Sequence, residues 1–309
     1  MRIMNGDKTV NNSNKKYFLA YEGIKTEVQY FDGIIKNRDI LNINPEIEII
    51  PLLRNHIFLG WSNPLKAFER TKICLDNLKN NKRNVAAFVS SIVEFCFYNS
   101  PLLTNRADAS FLYDTLLDIF INDSNLNKGD CFDFNDARVE RIINNIKLYI
   151  AENYSIANIE EFINSQFISY NPETDKVCLI VDRDKRSVSP DQYDSLVKKC
   201  NENSYNLYVS NPCFEFWLLL HFEDVFKSEN DKLLENRKMS IDDNAPHYTE
   251  SELKKLLPDF EKNNICFDKL LNRINIAIKN ESKFAQSLYK LECEIGSNIG
   301  LLIKELQNK

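Results

Sequence analysis

The sequence predicts an α/β protein: a parallel sheet flanked by helices, with a large helical insertion and a helical C-terminal region. Three observations point there. Short, uninterrupted apolar runs at Tyr17–Tyr21 and Val177–Val181 have the pattern of strands covered on both faces. These runs alternate with segments of helical spacing, the order expected of a parallel sheet with helical crossovers. From about residue 84 to 170 the alternation gives way to consecutive amphipathic helices.

Taken in order, residues 1–15 are polar and Asn-rich and read as a flexible leader without the apolar core of a signal peptide. Tyr17–Tyr21 is the first strand. It ends at Glu22-Gly23, and Thr26–Lys36 follows with Val28, Tyr30, Phe31, Ile34 and Ile35 at helical spacing. A second strand is expected at Ile47–Leu53, with Pro64–Leu78 as the helix returning from it. Phe111–Ile121, Val139–Ile150 and Ile159–Phe167 read as the helices of the insertion. The α/β pattern resumes at Lys176–Val181, followed at once by Asp182-Arg183-Asp184. Pro190–Asn203 is a helix with proline in its first turn, where a missing N–H costs least. Tyr205–Val209 is a further strand, ending at Ser210-Asn211-Pro212. Cys213–Phe222 is the most apolar helix candidate, Asp224–Pro246 is charged and loop-like, and the remainder is helical. The resulting division is an α/β core over 16–60 and 171–225, an insertion over 61–170, and a C-terminal region over 226–309.

Composition narrows the class of function. The 309 residues include 43% hydrophobic and 27% charged side chains, which is globular rather than disordered composition. No apolar run approaches the ~20 residues that span a bilayer, so a soluble, cytoplasmic protein is expected, without a membrane partner. Lys plus Arg number 39 against 45 Asp plus Glu, giving a net charge of −6, which disfavours nonspecific duplex binding. The eight cysteines contain no C-x-x-C pair and read as free thiols. With only three histidines, far apart, a Cys/His zinc site has little support, and any metal should be held by carboxylates.

In open α/β sheets, ligands bind beyond the carboxyl ends of the strands. Three predicted strands end there in polar groups: Glu22, Asp182 with Asp184, and Ser210 with Asn211. Aspartates at i and i+2 past a buried strand can converge on Mg²⁺ or Mn²⁺, a hard cation that needs only one or two carboxylates beside substrate phosphate. Glu22 is then a second ligand or a proton carrier, and Glu215, in the first turn of the next helix, a further ligand. Lys25, Arg183 and Asn211 are candidates for phosphate or substrate contact. Each has a plainer reading: D-x-D as a turn cap, Gly23 as a turn former, Glu215 as a carboxylate favoured by the helix dipole, and Lys25 or Arg183 as a surface charge. Trp217 reads as core, and His221 as a buried, hydrogen-bonded histidine. Ile24 stands where a phosphate loop needs glycine, so no Walker-type nucleotide site is present.

The segment Glu22-Gly23-Ile24-Lys25-Thr26-Glu27 with Tyr30-Phe31 resembles the E-G-x-K-T-E…Y-F opening of RloB-like proteins. Val181-Asp182-Arg183-Asp184 is similar to that family's D-x-D strand, and Ser210–Phe222 to its S-N-P-C-F-E-x-W-L-L-L-H-F block. The resemblance implies a Toprim-like fold, with Glu22 as the Toprim glutamate and Asp182 and Asp184 as its metal-binding pair. It further implies a metal-dependent nuclease in abortive infection, of the AbiL type, partnered by an ATPase of AAA or ABC type. The acidic charge slightly favours RNA over DNA, and oligomerisation is allowed. The alternative is a non-catalytic Toprim-like subunit that docks on the ATPase and recognises phage or nucleic acid. Nucleotidyl transfer, a third reading, lacks a triphosphate motif. Glu22 and Asp182 lie 160 residues apart, an unusually wide separation for such a pair.

Overall fold

In a computed structural model the described residues are 15–308, apart from 24, 53–62, 79–81, 101, 134–135, 155, 157–158, 167 and 243–244. The expected leader falls almost wholly outside them. A five-stranded sheet has the order β2-β1-β5-β6-β7, with β1 Lys15–Tyr21, β2 Ile47–Leu52, β5 Lys176–Asp182, β6 Tyr205–Asn211 and β7 Gly296–Ser297. The first four strands run parallel and only β7 is antiparallel. This mostly parallel α/β sheet is consistent with a Toprim-like fold.

The continuous apolar runs follow from burial on both faces. Along β1, Tyr17, Leu19 and Tyr21 join one core while Phe18 and Ala20 join the other; along β5, Cys178 and Ile180 alternate with Val177, Leu179 and Val181. The first face is covered by α1 (Thr26–Lys36), α8 (Phe214–Leu219), α10 (Tyr248–Leu256), α12 (Ile274–Glu281) and α14 (Ile299–Gln307). The second is covered by α2 (Pro64–Leu78), α7 (Pro190–Glu202) and α13 (Leu288–Leu291). Ser189 and Gln192 form a reciprocal capping box at the start of α7.

The helical insertion has its own apolar core, built by α3 (Val85–Asn99), α4 (Arg106–Ser124), α5 (Ala137–Tyr154) and α6 (Ile159–Ser165). A short antiparallel ribbon, β3 (Lys82–Asn84) with β4 (Cys131–Asp133), accompanies them. One boundary differs from the sequence-based division. Helix α2 packs on the sheet through Ala67, Phe68, Leu75 and Leu78, so the separately packed segment begins near 82 rather than 61. In the C-terminal region after 226, β7 extends the sheet and α14 lies in its core. Within it, the segment expected as a loop holds a 3₁₀ turn at Glu223–Lys227 and α9 at Asn230–Glu235, while α11 spans Phe267–Leu271. No helix of the described residues is long and apolar enough to cross a membrane.

Candidate functional site

The backbone ladder leads directly into the site. Glu22 lies just past β1, and its N–H donates to the Ile180 carbonyl at 2.9 Å, continuing the pairing with β5. Its carboxylate then accepts the Asp182 backbone N–H at 3.1 Å, so a side chain caps the neighbouring strand end. Period-two alternation turns Asp182 toward the face covered by α1 and α8, where it meets Glu27 and Glu215. Among the described residues, Asp182 Oδ1 is buried without a hydrogen-bond partner.

Glu27, which the sequence reading quoted only as part of a motif, belongs to this group. It is 5% exposed, in the first turn of α1, and accepts the Gly23 N–H at 3.2 Å. A β-carbon on Gly23 would collide with the Glu27 carboxylate, while its φ lies outside the left-handed range. Glycine therefore admits the Glu27 carboxylate at close range, which a side chain at this position would have to displace. Glu27 escaped notice because a glutamate in a first helical turn is ordinary on dipole grounds.

The electrostatics are those of acids crowded out of water. Burial first, then Glu27 and Asp184, push the Glu22 carboxyl up to about 8, against the Asp182 N–H and the Arg70 guanidinium on α2, which lower it. Burial and then Glu215 raise Glu27 to about 7, opposed by backbone N–H groups and by Lys262. Asp182 is pushed well above the usual carboxylate range, by burial first and then by Glu27, Glu22 and Glu215; the Phe214 N–H opposes the rise. Lys262 Nζ stands 3.9 Å from Glu215 Oε1 and 3.7 Å from Glu250 Oε2.

The remaining candidates are dispersed. Asp184 is largely occupied by its turn: Oδ1 accepts the Arg186 N–H at 2.9 Å and Oδ2 the Ser187 hydroxyl at 2.8 Å. Arg183 is turned by the same alternation to the opposite face, where it donates to the Val188 carbonyl at 2.8 Å and lies over the Tyr193 ring. Asn211 is fully buried, with Nδ2 donating to the Leu291 and Glu294 carbonyls. Lys25 is exposed at the start of α1. Trp217 is core, and His221 is buried between Tyr30 Oη at 3.0 Å and the Trp217 and Leu218 carbonyls. Burial lowers its pKa to about 4, so the neutral ring donates from Nδ1 and accepts at Nε2.

In donor chemistry the group fits a hard divalent cation: clustered carboxylate oxygens, one of them an orphaned buried acceptor. Among the described residues, no three His, Cys, Asp or Glu side chains are gathered closely enough to hold an ion as they stand. Ion binding would thus require the side chains to draw together. Comparison with curated proteins gives no match, and comparison with solved structures gives none. A family model described as RloB-like protein matches residues 17–306, nearly the whole chain, and with the E-G-x-K-T-E turn and D-x-D strand end now seen side by side, the chain belongs to the RloB-like family.

Proposed function

We propose that the chain is a divalent-metal-dependent nuclease that cleaves phosphodiester bonds in RNA or DNA. The observation that carries this reading is the orphaned Asp182 oxygen among Glu22, Glu27 and Glu215, at the carboxyl ends of two adjacent parallel strands. Glu22, Asp182 and Glu215 would hold Mg²⁺ or Mn²⁺, with Glu27 and Asp184 beside them. Bound there, the ion would supply charge neutralisation for the phosphate and a more acidic water. Glu22, raised to about 8 without a cation, is suited to carry a proton near neutral pH. Lys25, exposed just before α1, would be the candidate contact for a phosphate. The family resemblance extends the proposal to an antiphage abortive-infection role with a partner ATPase.

The test is cleavage of end-labelled single-stranded and duplex RNA and DNA by the purified chain, alone and with its ATPase, in Mg²⁺, Mn²⁺ or EDTA. Glu22→Gln and Asp182→Asn should each reduce cleavage by roughly a hundredfold or more while melting is retained. Full activity in either variant overturns the assignment. A second reading, a non-catalytic subunit that docks on the ATPase, draws on Asp184 being engaged by its own turn. It would be favoured by tight ATPase binding that both variants preserve, together with no metal-dependent cleavage.

A further inference from the structure

Lys262 stands out as a cation held against this acidic group by an element remote in sequence. It lies in a tight turn in which Glu261 and Asn264 pair through their backbones. The turn is fastened to α1 by one side chain: Gln29 Nε2 donates to the Lys262 carbonyl and to the Lys25 carbonyl, each at 3.0 Å, while Gln29 Oε1 accepts the Ile265 N–H at 3.4 Å. Helix α1 therefore both carries Glu27 and fixes the loop that delivers Lys262.

The ammonium sits between Glu215 and Glu250 at ion-pair distances too long for hydrogen bonds. Glu250 is itself paired with Lys254 at 3.1 Å, so its charge is already met, whereas Glu215 faces Asp182 and Glu27. The Lys262 side chain is 55% exposed and that of Glu215 only 11%, which places the ammonium at the mouth and the acids behind it. Arg70 supplies positive charge near Glu22, but from α2, on the opposite face of the sheet.

Resting on the metal reading above, we propose that Lys262 is a built-in counter-cation: its ammonium offsets the inner carboxylates while no metal is bound, and a divalent ion displaces it toward solvent. Lys262 is in this sense a positioning residue that holds the acids in register through charge. Exchange leaves the acids neutralised by the ion and frees the ammonium at the rim, where an anionic substrate enters.

The test is Mn²⁺ binding to the full chain, read by the loss of the free-ion paramagnetic resonance signal at low ionic strength. Lys262→Met should raise Mn²⁺ affinity roughly three- to tenfold, because the ion no longer competes with a resident charge. Lys262→Arg should restore wild-type affinity. In EDTA, Lys262→Met should lower the melting temperature, and the loss should shrink in a Glu215→Gln background or in saturating Mn²⁺. Unchanged or weaker Mn²⁺ binding in Lys262→Met, with wild type binding normally, overturns the counter-cation alone. No Mn²⁺ binding by either protein removes the metal reading, and the exchange with it.

Discussion

Glu22 and Glu27 carry raised pKa values for the same leading reason, burial, and this sets the pH response of the metal-free chain. An acid whose folded pKa lies above its unfolded value of about 4.5 stabilises the fold below that value and loses this contribution as pH rises through the folded pKa. With Glu22 near 8 and Glu27 near 7, stability in EDTA should fall between pH 5 and 8. Thermal melts across that range check it, and Glu27→Gln, whose amide oxygen can still accept the Gly23 N–H, should flatten the slope. Asp184 allows turn and ligand roles to be separated. Asp184→Ala removes two acceptors and should cost about 1–2 kcal/mol in denaturant unfolding. Asp184→Asn keeps an acceptor for one of those donors and should cost less, so any large loss of Mn²⁺ affinity in it reports on the metal.

At the scale of elements, α8 shows why a short helix can be indispensable. All six of its residues are buried, and Trp217 packs among Tyr30, His221 and the C-terminal helices. Trp217→Ala should lower stability by ~3–5 kcal/mol in chemical denaturation. Much of the element plan was legible. Strands β1 and β5 announced themselves as unbroken apolar runs, and α1 begins and ends where the spacing placed it, at Thr26 and Lys36. What escaped were pieces whose identity depends on distant partners. Strand β7 is two residues long and exists through pairing with Ser210 and Asn211, and the three-residue β3–β4 ribbon carries no periodicity to read. In the site, the strand-end acids could be named from position alone. Glu27 needed the close approach of Gly23, Lys262 needed a loop folded back onto α1, and Arg183 was turned away by strand alternation that a D-x-D pattern does not display.

For the molecule as a whole, the helical insertion leaves and re-enters the α/β core at nearly one point: the Tyr170 N–H donates to the Leu78 carbonyl at 3.2 Å. Its apolar residues form a cluster distinct from the two that line the sheet. Joining these ends should therefore cost the core little. Replacing 80–168 by a short Gly/Ser linker should leave a cooperatively unfolding α/β protein with the same order of Mn²⁺ affinity, checked by calorimetry and ion titration. Loss of the cooperative transition would show that the insertion stabilises the sheet. Retained folding with lost nucleic-acid or ATPase binding would assign recognition to α3–α6.

The 160-position separation of Glu22 from the Asp182 N–H it accepts also orders events on the ribosome. Strand β1 is made early, yet its neighbour β5 emerges only after the whole insertion, a lag of roughly ten to thirty seconds at ~5–20 residues per second. Glu215 and Lys262 follow later still. A nascent chain thus carries Glu22 and Glu27 long before Asp182 and Glu215 exist, and no product that stops short of Glu215 can assemble the set. Synthesis itself therefore withholds the assembled acidic group until Glu215 has been made.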